Sequence, residues 1–171
     1  MGIKILVTCI LFTCFSCVNK MEDIDLTYAD AHLGDFGKNI EISYYLKGVL
    51  EFKLIAPEMN QFLEISTFPK GIDIYVYNQK LDTIATIEAD YALQDKNQHI
   101  VEAKSNVVLT NLNQEQLNTE QLFWNSETKK IYTDDFVTLN TENQIIMGFG
   151  FEADQYFSTY TLSNITGTIY L

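Results

Sequence analysis

From Asn39 onward the chain alternates, and that pattern constrains its fold more than any other feature. Leu50-Glu51-Phe52-Lys53-Leu54 trades apolar for charged residues one by one. Ile72-Asp73-Ile74-Tyr75-Val76-Tyr77 puts aliphatics on one face and Asp and Tyr on the other. Ile145, Met147, Phe149 and Phe151 read as one face, with Ile146, Gly148, Gly150 and Glu152 opposite. A period of two sends successive side chains to opposite sides of a strand, so each run predicts a strand with one buried face. Helical spacing is hard to find in this region. Pro57 and Pro69 are the only prolines. Breaks at Ala56-Pro57-Glu58, Phe68-Pro69-Lys70-Gly71, Tyr77-Asn78-Gln79-Lys80, Gln94-Asp95-Lys96-Asn97 and Asn125-Ser126-Glu127-Thr128 each predict a hairpin turn.

The strands repeat. Ile87-Glu88-Ala89-Asp90-Tyr91-Ala92 aligns with Leu117-Asn118-Thr119-Glu120-Gln121-Leu122, thirty residues on. Asp95 then falls over Asn125, Val101 over Ile131, Ala103 over Thr133, and Val107 and Leu109 over Val137 and Leu139. Each unit reads strand, polar turn, strand, then a closing V-x-L strand. A fainter third copy begins near Gly150-Phe151-Glu152-Ala153-Asp154. Stacked hairpins of one kind build an extended sheet with open ends.

The first residues follow different rules. Met1-Gly2-Ile3-Lys4 precedes an uncharged stretch from Ile5 to Ser16, and all three cysteines (Cys9, Cys14 and Cys17) lie within or at the end of it. A basic start followed by about 7–15 apolar residues is the form of a secretory signal. The stretch is too short to span a membrane, which takes about 20 residues. Ser16-Cys17 resembles the bacterial lipobox, in which the signal is cut before a cysteine and the thiol receives a diacylglycerol. The usual Leu three places earlier is replaced by Cys14. Leu11-Phe12-Thr13-Cys14 restores that Leu but puts Thr beside the cut, so Cys17 is the favoured lipidation site and Cys14 the alternative. The plainer reading is an ordinary signal whose cysteines are soft hydrophobes. The expected organisation is a lipoprotein signal over 1–16, a lipidated N-terminus and acidic tether over 17–38, and an all-β domain over 39–171. Cleavage before Cys17 leaves no free thiol, disulfide or cysteine-based metal site.

Composition excludes several function classes. The chain of 171 residues carries a formal charge of −12, and its 11 basic residues are all lysine. Nucleic acid binding needs a basic surface that displaces counterions, so no nucleic acid is expected. Without arginine there is no bidentate clamp for phosphate. His32 and His99 have no partners at metal spacing, no Gly-x-Ser-x-Gly elbow occurs, and Asp134-Asp135 reads as a solvated pair. Gly148-Phe149-Gly150 lacks the third glycine of a dinucleotide loop and is better explained by a strand bend or a close backbone approach. Asn164-Ile165-Thr166 matches a glycosylation sequon, set aside for a bacterial-style lipoprotein. The reading is therefore no enzyme, no cofactor and no metal. The 11 Phe, 10 Tyr and single Trp could fill a dry core or line a groove for acyl chains; pattern alone does not separate the two.

Several strings resemble a known family: Gly37-Lys38-Asn39-Ile40-Glu41-Ile42, Leu54-Ile55-Ala56-Pro57, Phe68-Pro69-Lys70-Gly71-Ile72, Ala89-Asp90-Tyr91-Ala92 and Asn106-Val107-Val108. The longest is Leu117-Asn118-Thr119-Glu120-Gln121-Leu122-Phe123-Trp124-Asn125, followed by Lys130-Ile131-Tyr132-Thr133, and the last is Gly148-Phe149-Gly150-Phe151-Glu152-Ala153-Asp154. Together they are similar to LptC, the membrane-anchored periplasmic component of lipopolysaccharide export, in a Bacteroidetes-like lipoprotein form. The resemblance implies a twisted, V-shaped open β-jellyroll of antiparallel strands. It implies lipopolysaccharide received from an inner-membrane ABC exporter, acyl chains carried in an apolar groove, and delivery to a periplasmic bridge protein that joins by edge-strand addition. It implies a periplasmic place at the inner membrane. The proteobacterial members carry a single N-terminal transmembrane helix, where this sequence has a lipobox instead.

Strand parity then proposes the groove set: Phe52, Leu54, Ile72, Ile74, Val76, Val107, Leu109, Leu122, Trp124, Val137, Leu139, Met147, Phe149 and Phe151. Part of it would face cargo and the rest would pack the closed side of the jellyroll. The competing reading is a lipoprotein β-sandwich that binds carbohydrate or mediates adhesion through exposed tyrosines. The first requires an apolar trough open at one edge; the second requires a closed core with aromatics outside.

Overall fold

The computed structural model describes residues 34–171, which form one antiparallel sheet of eleven strands. The signal, Cys17, His32 and most of the expected tether lie outside the described residues. The strands are β1 (Gly34–Leu46), β2 (Val49–Phe62), β3 (Ile65–Phe68), β4 (Ile72–Tyr77), β5 (Thr83–Ala89), β6 (Tyr91–Asp95), β7 (Ile100–Asn111), β8 (Gln116–Asn125), β9 (Lys130–Asn140), β10 (Gln144–Asp154) and β11 (Tyr160–Tyr170). β3 and β4 pair with successive parts of β2, β6 and β5 continue that row, and both pair with β7. Hairpins then carry the sheet on to β11. Among the described residues β1 pairs only with β2 and β11 only with β10, so these are the sheet's two end strands. The all-β antiparallel architecture expected from the alternation is the one observed.

A crease divides most rows into two wings. It passes through Gly71 between β3 and β4 and through Asp90 between β5 and β6. It continues through Ser105 and Asn106 of β7, both with positive φ, and through register shifts in β8–β9 between Thr119 and Phe123. In β10 it falls at Gly150, with φ of 77°. Bulges of this kind bend a strand and add twist. Polar groups exposed by the bend are satisfied locally. The Asp90 N–H donates to the Ser105 carbonyl, Asn106 Nδ2 donates to the Asp90 carboxylate, and buried Thr119 Oγ1 donates to the Phe136 carbonyl at 3.0 Å. Gly71 combines φ of +86° with an approach so close that a Cβ would stand 2.6 Å from the Ala89 carbonyl oxygen, so only glycine fits there.

The core follows from the register. Ile42, Leu54, Ile74, Ile87, Leu109, Leu117, Leu139 and Ile146 are successive cross-strand partners from β1 to β10. Leu109, Leu117 and Leu139 are fully buried, each contributing about 1.5–3 kcal/mol of burial free energy. The thirty-residue repeat is this row seen along the chain. Ile87 and Leu117 lie two strands apart in one row, as do Leu109 and Leu139. On the other wing, Phe68, Ala92, Ala103 and Leu122 form an equivalent row. The two wings bury one continuous apolar cluster between them.

Three of the expected hairpin turns are present, and in each the side-chain oxygen of Asn78, Asp95 or Asn125 accepts two backbone N–H bonds; Asn111 and Asp154 do the same for two further turns. The hairpin expected at Phe68-Pro69-Lys70-Gly71 is instead the crease between β3 and β4, which both run antiparallel to β2. The expected turn at Ala56-Pro57-Glu58 is not there: β2 runs straight through it. Pro57 stands between Ile55, which pairs with β4, and Asn60, which pairs with β3, a gap where a missing N–H costs little. The V-x-L segments Val107–Leu109 and Val137–Leu139 are not separate strands but the second halves of β7 and β9 beyond the crease. The sheet also begins at Gly34, before the expected start near Asn39. Gly34 to Lys38, read as tether, pair with Phe62 to Glu58 of β2.

Candidate functional site

The wings do not close completely. Between them lies an apolar cavity of about 140 Å³. Phe52, Leu54, Ile74, Val76, Leu122 and Trp124, all in the predicted groove set, line it. Ile72, Val107, Leu109, Val137, Leu139 and Phe151 are buried in the core instead. They pack the closed side of the fold.

Met147 and Phe149 are on the wrong face for the groove. Phe149 is 46% exposed and packs edge-on against exposed Phe136, its partner in β9. Met147 pairs with Thr138, one residue out of step with inward Val137 and Leu139. The cause is the extra residue at the crease. In β10 the inward positions are Ile146 and Gly148, then Phe151 and Ala153. The parity flips at Gly150, so residues spaced by two across it do not share a face. β8 makes the same flip: Leu117 and Thr119 face inward, then Leu122 and Trp124. The three-residue step from Thr119 to Leu122 is the sequence trace of that bulge.

Parity reasoning also missed part of the wall. Ile42 and Tyr44 of β1, Phe68, Ile87, Val101 and Ile131 all line the cavity. Ile42 and Tyr44 alternate with charged and polar residues in Glu41-Ile42-Ser43-Tyr44, a signal that could have found them. The aromatic side chains of the wall contact one another. Tyr44 stacks on Phe52 at 4.9 Å, and Phe52 meets Trp124 edge-on at 5.3 Å.

The cavity has a polar rim of Glu51, Gln94, Lys129 and Gln155. The Lys129 ammonium lies 6.0 Å from the Tyr44 ring centre and 5.8 Å from that of Trp124. Its neighbour Lys130 pairs with Glu152, whereas no ion pair of Lys129 is found among the described residues. Glu51 accepts a hydrogen bond from the Tyr156 hydroxyl at 3.2 Å. The buried indole N–H of Trp124 has no acceptor among the described residues. No signal in the sequence separated Lys129 from Lys130.

The rim rests on the β10–β11 loop. The Gln155 N–H donates to the Lys129 carbonyl, and Phe157 is fully buried beneath. Asp154 organises this loop. Burial pushes its carboxyl up, but hydrogen bonds from Thr159 and Ser158 and from the backbone N–H groups of Thr159 and Tyr156 outweigh that and hold it below its ordinary value. Burial, and then the Glu115 carboxylate, push the Tyr160 phenol up. Among the described residues no three His, Cys, Asp or Glu side chains converge as a metal site would require. His99 is exposed beside its turn, and Asp134-Asp135 lie exposed in β9.

An apolar cavity of about 150 Å³ stays dry and admits a benzene-sized guest. The present cavity therefore has room for a short stretch of hydrocarbon, and a larger amphiphile would need the wings to part. Parting them breaks the bonds that cross the space, Asn111 Nδ2 to the Phe157 carbonyl at 3.3 Å and the Tyr156 hydroxyl to Glu51 at 3.2 Å.

A family model described as Lipopolysaccharide-assembly, LptC-related matches residues 36–171. No curated protein matches the chain.

Proposed function

The chain belongs to the LptC family of lipopolysaccharide-assembly proteins, and on that footing we propose that its creased sheet is a relay for lipopolysaccharide on the periplasmic side of the inner membrane. The family is one of transport and bridge proteins, not of enzymes. In this reading an inner-membrane ABC exporter supplies lipopolysaccharide. The acyl chains enter the apolar space between the wings while the sugars stay in water. The next periplasmic bridge protein adds to an open sheet edge by strand addition. A lipid on Cys17 holds the chain at the membrane, since each buried CH₂ contributes about 0.8 kcal/mol.

One observation carries the reading: the cavity is walled from both wings by apolar and aromatic side chains and is fringed by polar groups. Tyr44, Phe52 and Trp124 turn into it. This favours a trough over the carbohydrate-binding sandwich, which calls for a closed core with its aromatics outside. Apolar burial at about 25 cal/mol per Å² supplies affinity without fixing register, as a conduit that releases its cargo requires.

Reconstitution tests the proposal. The full chain is placed in liposomes with the exporter and lipopolysaccharide, and lipopolysaccharide recovered on the chain is measured. ATP should load it and a non-hydrolysable analogue should not. Equal recovery with both, or none with either, contradicts the relay.

A further inference from the structure

We propose that Lys129 and Trp124 form a headgroup seat at the rim of the groove, which takes the phosphate of an anionic amphiphile and the acyl carbonyl beside it. The inference rests on the relay reading and deepens it. Its ligand class is a phosphorylated, acylated sugar, and the phosphate is the one carried by the lipid rather than free phosphate.

Three observations converge. The Lys129 ammonium stands over Tyr44 and Trp124, two rings of the cavity wall. It has no ion-pair partner among the described residues, in a chain whose net charge is −12. A cation held by ring faces keeps its donors free for an incoming anion. On the same wall the Trp124 indole N–H is buried with no acceptor among the described residues, a cost that native structures normally remove with a partner. An amphiphile whose chains lie against Leu54 and Leu122 brings both acceptors to this rim. Its phosphate is an acceptor for the ammonium, and its ester or amide carbonyl, at the start of the hydrocarbon, is an acceptor for the indole. Glu51, on the same rim and bonded to Tyr156, limits the attraction. With one lysine and no arginine the seat orients a headgroup without clamping it, which suits a cargo that must move on.

The test uses the full chain in detergent and two radiolabelled probes, a bis-phosphorylated acyl diglucosamine and the same lipid without phosphate. Wild type should prefer the phosphorylated probe by about tenfold, the scale of one partly exposed charge-assisted hydrogen bond. Lys129→Gln should erase that preference and leave the other probe unchanged, and Lys129→Arg should restore it. Trp124→Phe, which keeps a ring and removes the donor, should weaken both probes alike by about fivefold. Millimolar inorganic phosphate should not compete. A preference that survives Lys129→Gln, or is absent from wild type that binds both probes, overturns the lysine's role. Effective competition by inorganic phosphate overturns the lipid source. Unchanged binding by Trp124→Phe overturns the indole's role. Failure of wild type to bind either probe removes the groove itself, and the seat with it.

Discussion

Asp154 shows how much one side chain can organise. Its carboxylate accepts from Tyr156, Ser158 and Thr159, and so shapes the loop that buries Phe157 and bears on Lys129. Because its folded value lies below the ordinary one, its contribution is complete above about pH 4, the unfolded value, and is lost as the pH falls through the folded value. Asp154→Asn should cost about 1 kcal/mol at neutral pH, a figure kept low for its exposure. In urea titrations, wild type and variant should converge on acidification. A gap that stays constant from neutral to strongly acid pH would contradict this role. At the other end of the chain, Cys17→Ala should abolish incorporation of a lipid precursor, and persistent labelling would assign the modification to Cys14. Leu122 bears on packing more than on cargo entry. It is buried at 3% exposure, and an unpaired carboxylate there would unfold the protein.

Among the elements, the crease carries the fold. Gly71→Ala combines a strained φ with a backbone clash against Ala89, so it should destabilise by about 2–3 kcal/mol. Leu117→Ala opens the centre of the aliphatic row, and about 2–5 kcal/mol is expected. Equilibrium denaturation measures both, and a loss under half a kilocalorie for either would mean that the row or the crease is misplaced. These elements were legible to different degrees. Alternation declared the strands, the thirty-residue repeat declared the row, and Asn or Asp declared the turns at 78, 95 and 125, because each of these is local chemistry. Gly148-Phe149-Gly150 reads as a bend or a close approach, without saying which glycine does which. Gly148 indeed lies against the Asn164 carbonyl, with 2.5 Å left for a Cβ, and Gly150 holds the positive φ. The face of Phe149 was not legible, because a bulge is fixed by the mismatch between two strands and not by either alone. The start of β1 was hidden for another reason. Gly34 to Gly37 form an edge with mostly exposed side chains, so no buried face imprints alternation on them.

At the scale of the molecule, the acidic charge, the two end strands and the apolar space between the wings suit one task, which is passing an amphiphile without holding it. The antiparallel order follows from the chain's own pattern, but the strand count does not, because the Ala56-Pro57-Glu58 break and the V-x-L segments merge into β2, β7 and β9. The cavity wall was half legible. Phe52, Leu54, Ile74, Val76, Leu122 and Trp124 follow from parity and Tyr44 from the alternation of β1, while Ile131 and Lys129 enter only because the crease brings distant rows together. The central claim is that cargo travels between the wings, and photocrosslinking in cells tests it most directly. A photoreactive residue would replace half-buried Ile74 or Trp124 on the inner face, with outward Phe149 and exposed Glu120 as controls. The account predicts ATP-dependent lipopolysaccharide adducts at Ile74 and Trp124 and none at Phe149 or Glu120. Adducts at the outer positions alone, or at no position in abundant, folded protein, would contradict it.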